Sequence, residues 1–214
     1  MKNQKTSGAD ASPIVIIVDD DAGVRSSLVR LFGSVGLETK QHASALEFME
    51  SSMPDAPRCL VLDVRMPGLS GLELQGRLVA KSIAVPIIFM TGHGDVPMSV
   101  DAMKLGAVDF LIKPFRDQDM LDAVASAIET DRESRTSLKM ERAVRQRFEL
   151  LSPREAEIMK HVTAGLMNKQ IAGLLDLSEI TVKIHRGKAM RKMEAKSLPD
   201  LVRMAEVVGL GDQS

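Results

Sequence analysis

Three consecutive aspartates, Asp19, Asp20 and Asp21, follow the apolar run Ile14–Val18, and a fourth, Asp63, closes the run Arg58–Asp63. Thr91 follows a third such run and Lys113 a fourth, with Pro114 directly behind the lysine. If the first two runs are neighbouring strands, carboxylates far apart in sequence meet at one sheet edge. Such a group repels itself unless it binds a cation or shares protons, and an all-oxygen ligand set suits Mg²⁺ (or Mn²⁺). The combination fits phosphoryl transfer to a carboxylate. Asp63 can attack phosphorus, a metal can neutralise oxygen charge, and Thr91 and Lys113 can hold the new phosphoryl oxygens. Singly, each residue has a plainer reading: a solvated loop for the acid triplet, an exposed lysine, a helix-capping threonine. Their placement after four strands favours a shared site over an ordinary acidic turn.

A second set of residues is basic. Within 181–196 one acid, Glu194, stands against six bases, Lys183, Arg186, Lys188, Arg191, Lys192 and Lys196. On a helix over 178–193, Thr181, Lys183, Ile184, Arg186 and Lys188 can form an outward surface that reaches phosphates and base edges in a major groove. Ile184 can touch a thymine methyl, and Arg186 has the fork geometry for a base or a phosphate. Asn168 and Lys169, at the start of the preceding helix, can add contacts. The competing readings are a solvated helix face and a small helical domain that docks another protein.

The elements that must position these residues follow from periodicity. Ile14–Val18, Arg58–Asp63, Pro86–Met90 and Val108–Ile112 read as strands, with a weaker one at Leu37–Gln41. Several are apolar on both faces, as in a parallel sheet covered on both sides. Val24, Leu28, Leu31 and Val35 recur at helical spacing, and Gly36 can end that helix. Ala43–Met49, Gly71–Ala80 and Val96–Leu105 supply further crossovers. A last helix from Asp117 turns Leu121, Val124 and Ile128 inward. The fold class is an α/β domain with a five-stranded parallel sheet over residues 13–128, its acids at strand C-terminal ends, where open α/β sheets bind ligands.

Residues 129–147 carry six bases and four acids without Pro or Gly, and read as an exposed helical linker. From 148 to 208 the rhythm becomes all-α. Ser152-Pro153-Arg154-Glu155 is a capping box with proline at the first helical position. A short helix begins at Asn168, a longer one is capped by Ser178, and a fourth follows Leu198-Pro199. Val182, Ile184, Ala189 and Met193 can pack the longer helix. Residues 12–128 hold 15 acids against 10 bases, so an acidic front half precedes the local basic strip. No apolar run approaches the roughly 20 residues of a membrane span. Cys59 is the only cysteine, which excludes an intramolecular disulfide and suits a reducing cytoplasm.

The motifs VDDDAGVR, LDVRMPGLSG, MTGHGD and DFLIKPF resemble those of a response-regulator receiver domain. The resemblance implies a metal-binding acidic pair at Asp19 and Asp20, a phosphoacceptor at Asp63, a switch hydroxyl at Thr91 and a phosphate-binding lysine at Lys113. It further implies a backbone carbonyl ligand at Arg65 and an aromatic switch at Phe110, with Asp21 in a supporting place. The run LSPREAEIMKHVTAGLMNKQIAGLLDLSEITVKIHRGKAMRKM resembles the four-helix DNA-binding domain of NarL/LuxR-type regulators, and KSLPDLVRMAE resembles their FixJ-like branch. That match turns Lys183 and Ile184 toward the groove. Gly187 stands where relatives often carry a longer polar or basic residue. The implied partners are a sensor histidine kinase, double-stranded promoter DNA and a second copy of the chain, with RNA polymerase as a further contact and no membrane. Two other classes compete: a small phosphatase, disfavoured by the lack of a second nucleophile or base histidine, and a phosphorylation-controlled protein adaptor.

Overall fold

The apolar runs of the front half become strands because each is flanked by a helix that covers it. The structure is a computed structural model that describes residues 11–92 and 96–210, without the side chains of Val96 and Pro97. The His93–Asp95 part of the MTGHGD motif and most of the polar start lie outside the described residues. The elements run β1 (Ile14–Val18), α1 (Ala22–Ser34), β2 (Glu38–His42), α2 (Ala45–Glu50), β3 (Arg58–Asp63), α3 (Gly71–Ala80), β4 (Ile87–Thr91), α4 (Val96–Lys104), β5 (Asp109–Ile112) and α5 (Asp117–Glu149). The five strands are parallel in the order β2-β1-β3-β4-β5.

Alternation along the strands splits the core into two layers. Ile16, Val18, Leu60, Leu62 and Phe89 pack against Phe48, Leu74, Leu78 and Ala102 of α2, α3 and α4. Val15, Ile17, Val61, Ile88 and Met90 pack against Leu28, Phe32, Met120, Val124 and Ile128 of α1 and α5. The inner positions of the central strands are therefore apolar, with polar residues only at strand ends, while the edge strand β2 reads ETKQH. Three strands, β2, β4 and β5, begin one residue later than their sequence suggested. Leu37 is drawn into the end of α1, its N–H bonded to the Phe32 carbonyl beyond Gly36 at φ 77°. Pro86 lacks an N–H and offers only its carbonyl, to Leu60, so β4 starts at Ile87 and runs through Thr91.

The chain divides into two compact units, 1–136 and 137–214. In the second, α6 (Pro153–Thr163), α7 (Asn168–Leu175), α8 (Glu179–Lys192) and α9 (Leu198–Val207) enclose Ile158, Met159, Val162, Ile171, Val182, Ala189, Met193, Leu201 and Ala205. The capping box at Ser152 and Glu155 forms as its sequence requires. Asp176 ends α7 in the left-handed region at φ 50°, a conformation aspartate tolerates, and so tightens the turn into α8. No helix among the described residues is long and apolar enough to cross a membrane.

Residues 129–147 are helical, but their first part is not the exposed linker that their charge suggested. Asp131 is only 5% exposed. Its carboxylate accepts the Arg58 backbone N–H at 3.0 Å, at the first residue of β3, and lies 4.0 Å from Arg135. Arg135 in turn pairs with Asp55. Burial pushes the Asp131 carboxyl up, and the Arg58 N–H and the nearby guanidinium groups pull against it. The charged stretch thus donates one acid to the sheet edge, and the run of exposed residues begins at Ser137.

Asp131→Ala leaves the Arg58 N–H buried without an acceptor, a loss of about 1–3 kcal/mol. Amide exchange should accelerate at 129–136 and at the start of β3 but not in α6–α9, and Asp131→Asn, which keeps an acceptor oxygen, should recover most of the protection. Unchanged exchange in the alanine variant would show that this contact holds nothing in place.

Candidate functional site

In a parallel sheet every strand ends at the same edge, so residues that follow different strands converge. The C-terminal ends of β1, β3, β4 and β5 bring Asp19, Asp63, Thr91 and Lys113 to that edge. Asp19, Asp63 and Thr91 are buried and Lys113 is half-buried. The Lys113 ammonium donates to Asp19 Oδ2 and to Asp63 Oδ1, each at 2.8 Å. The other oxygens are held by the backbone: Asp19 Oδ1 accepts from the Asp21 N–H and Asp63 Oδ2 from the Arg65 N–H, both at 2.8 Å. The Thr91 carbonyl accepts the Lys113 N–H at 2.7 Å, which fixes the lysine beside the strand it serves.

Two carboxylates and one ammonium leave this cluster one positive charge short. Burial pushes the Asp63 carboxyl up; the Lys113 bond opposes this, and Asp19 adds to it. Burial acts to lower Lys113, but its bonds to Asp19 and Asp63 outweigh that and raise it. Among the described residues no three His, Cys, Asp or Glu side chains are gathered as a ready-made metal cage, and Asp20 is exposed while Asp19 and Asp63 are buried. The donor chemistry still fits Mg²⁺, which is held through one or two carboxylates and keeps several waters. Asp19 and Asp63 supply buried carboxylate oxygen, Asp20 is exposed next in the chain, and the Arg65 side chain is exposed.

Three neighbours escaped the sequence reading or had a different role. Asp21 caps α1, accepting from the Gly23 and Val24 N–H groups at 2.6 and 3.1 Å, and these bonds hold its carboxyl below the usual range. Arg25 donates to the Asp19 and Asp20 carbonyls at 2.7 and 3.0 Å, clamping the acidic turn from the first turn of α1. Gly71 begins α3 against the Asp63 backbone, where a Cβ would stand 2.3 Å from the Asp63 carbonyl oxygen. The run PGLSG was the only sequence signal for that close approach. Phe110, half-buried on β5, packs on Phe89 with ring centroids 6.2 Å apart.

The basic set of the second unit separates into free and engaged charges. Lys183, Ile184 and Lys188 are exposed on α8, and Lys169 is exposed on α7. Thr181 is half-buried, its N–H and hydroxyl both bonded to Ser178 at the helix start. Arg186 lies on the flank, where its guanidinium donates to Asn168 Oδ1 at 3.2 Å and links α8 to α7. Lys192, counted above with the basic strip, is structural: it donates to buried Glu155 at 2.6 Å and to the Leu150 carbonyl at 2.9 Å. Lys192, first, and the Ser152 N–H hold Glu155 below the usual carboxylate range.

Comparison with known proteins covers both units. Residues 15–125 match the family described as "Response regulator receiver domain", and residues 149–205 match "Bacterial regulatory proteins, luxR family". "Nodulation protein W" of Bradyrhizobium diazoefficiens is 56% identical over 202 residues, 94% of this chain and 89% of that protein. "Transcriptional regulatory protein FixJ" of Rhizobium meliloti is 45% identical over 197 residues, 92% of this chain and 97% of that one. Among solved structures, the response regulator StyR is 45% identical with a TM-score of 0.83, covering 92% of this chain and 99% of that chain.

The Glu155–Lys192 pair carries a pH signature. A carboxyl held below its unfolded value adds stability that is complete above the ordinary carboxylate range and is lost as pH falls through the lowered folded value. Lys192→Met strands the buried carboxylate, and with the lysine partly in solvent the loss at neutral pH should be about 1–2 kcal/mol. The gap between variant and parent in urea unfolding of α6–α9 should narrow below the carboxylate range. A gap that stays constant with pH would show that the pair is not the cause.

Proposed function

Because this chain belongs to the FixJ-like two-component response regulators of the NarL/LuxR family, a receiver domain followed by a LuxR-type helix-turn-helix domain, we propose that Asp63 is its phosphoacceptor and that the phosphate controls DNA binding by α6–α9. Receiver-domain response regulators are not independent enzymes; their function depends on phosphorylation by a kinase. The observation that carries the reading is the Lys113 ammonium spanning Asp19 and Asp63 at 2.8 Å. It fixes the acceptor carboxylate from one side and pre-forms a cationic partner for the phosphoryl oxygens that replace its charge.

Receiver domains typically bind Mg²⁺ at their aspartates. Here Asp19, Asp20 and Asp63, with the Arg65 carbonyl, would hold it, and bound there it supplies charge neutralisation for the transferring oxygens. An Asp63 carboxylate oxygen attacks the phosphorus of the donor's phosphohistidine and the P–N bond breaks, returning the histidine; Oδ1 faces the Lys113 ammonium and Oδ2 the Arg65 N–H. As the carboxylate becomes an acyl phosphate, Lys113 exchanges one carboxylate partner for a phosphoryl oxygen, and the Thr91 hydroxyl turns to another. Phe110 then repacks against Phe89, changing the face made by α4, β5 and α5. A second copy of the chain pairs through that face, and two copies present two α8 helices to promoter DNA.

The phosphate donor is a sensor histidine kinase, and RNA polymerase is a further partner at the promoter. A cytoplasmic location fits a DNA binder whose lone cysteine, Cys59, is buried. The receiver spans 13–128, and the connection to the DNA-binding domain at 148–208 lies within 129–147. Asp131 ties the start of that connection to the sheet, so its pliable part is the exposed stretch 137–142. Direct DNA contacts come from Lys169, Lys183, Ile184 and Lys188, while Asn168, Thr181 and Arg186 set the pose of α8 and meet the DNA backbone.

Asp63→Asn should keep the fold and lose all acid-labile, hydroxylamine-sensitive phosphate from a small phosphodonor. Excess chelator should suppress labelling of the parent chain in the same way. Stoichiometric labelling of the variant would remove Asp63 from the account. Thr91→Ala should take up phosphate yet show little of the parent's phosphorylation-dependent increase in sedimentation rate; a full increase would mean that coupling runs through another group.

A further inference from the structure

The N-terminal part of the exposed ridge of α8 is apolar where a base-reading helix is ordinarily polar. Successive α-helical residues advance by about 100°, so Val182, Ala189 and Met193 fall within roughly 40° of one another. They are buried and form the side of α8 that meets the core. On the opposite side, Ile180, Ile184, Gly187 and Arg191 fall within a sector of roughly 60° that points straight away from it. Ile180 is 73% exposed and Ile184 52%. Lys183 and Lys188 stand about 70° to either side of that ridge. Scattered surface isoleucines are unremarkable. Two on successive turns of one ridge, flanked symmetrically by lysines, form a shaped surface.

That surface fits a major groove whose floor carries thymine methyls. Lysines on the two flanks reach the phosphate walls, and the ridge between them meets base edges. Gly187 has open space where its Cβ would stand, so the next turn offers no side chain to read a base. Arg186 is engaged with Asn168. The reading burden therefore moves to the N-terminal turn of α8, the part of a recognition helix that contacts bases first. We propose that Ile180 is a specificity-determining residue that, together with Ile184, reads thymine methyl groups one helical turn apart. This rests on the DNA-binding reading above and deepens it by naming the chemistry of the half-site.

The test exchanges thymine for uracil, which removes the methyl and leaves every hydrogen-bonding atom in place. The phosphorylated full-length chain is titrated against an operator selected from random duplexes, with each thymine replaced in turn by uracil. Affinity should fall about fourfold, the worth of one buried methyl-sized group, at two separate groups of positions. In Ile180→Ala the penalty at one of these should vanish while the other persists. Ile180 is exposed, so the variant should keep the parent's circular dichroism and melting temperature. Uracil tolerance at every position, or full penalties retained in Ile180→Ala, would overturn the inference while leaving DNA binding intact. A parent chain without affinity for any duplex would overturn the DNA-binding reading itself, and this inference with it.

Discussion

One ammonium group holds together residues drawn from three strands. Lys113 follows β5, yet its partners are Asp19 after β1 and Asp63 at the end of β3, both buried. Two buried carboxylates without it would repel each other and lose hydration with no compensation. The cluster is affordable because the remaining carboxylate oxygens take backbone N–H groups, from Asp21 and Arg65. It remains negative overall, so cation binding and phosphate chemistry at Asp63 exploit an imbalance built into the fold. The surrounding structure follows from this need: Arg25 clamps the acidic turn, and Gly71 lets α3 begin against the Asp63 carbonyl.

The same economy of charge organises the second unit. Its bases look alike in sequence but are divided between two tasks. Lys192 neutralises the buried capping glutamate of α6, and Arg186 ties α8 to the start of α7. Lys183 and Lys188 remain exposed beside the isoleucine ridge. Positioning cations and solvent-facing cations thus occupy one helix, separated by the angle at which each leaves it.

Much of this was legible in sequence for a physical reason: strands buried on both faces read as unbroken apolar runs, and parallel strands all end at one edge. Asp63, Thr91 and Lys113 could be grouped on that basis, and the helices through Gly71–Ala80 and from Asp117 began where capping and spacing put them. What escaped depends on contacts between distant residues. Asp131 sits among exposed charges in sequence, yet it is buried by the Arg58 N–H at the start of β3. Lys192 belonged by composition to the basic strip, and only the position of Glu155 assigns it elsewhere. Periodicity locates a helix face, but it does not say which charges on that face are already paired.

The central claim is that phosphate on Asp63 alters DNA binding by α6–α9. Its most direct measurement is the affinity of the full-length chain for a selected operator at fixed salt, before and after treatment with a small phosphodonor, with phosphate occupancy of Asp63 followed in the same samples by mass spectrometry. The account predicts that affinity rises in step with occupancy and returns as the acyl phosphate hydrolyses. Unchanged affinity at full occupancy of Asp63 would contradict it.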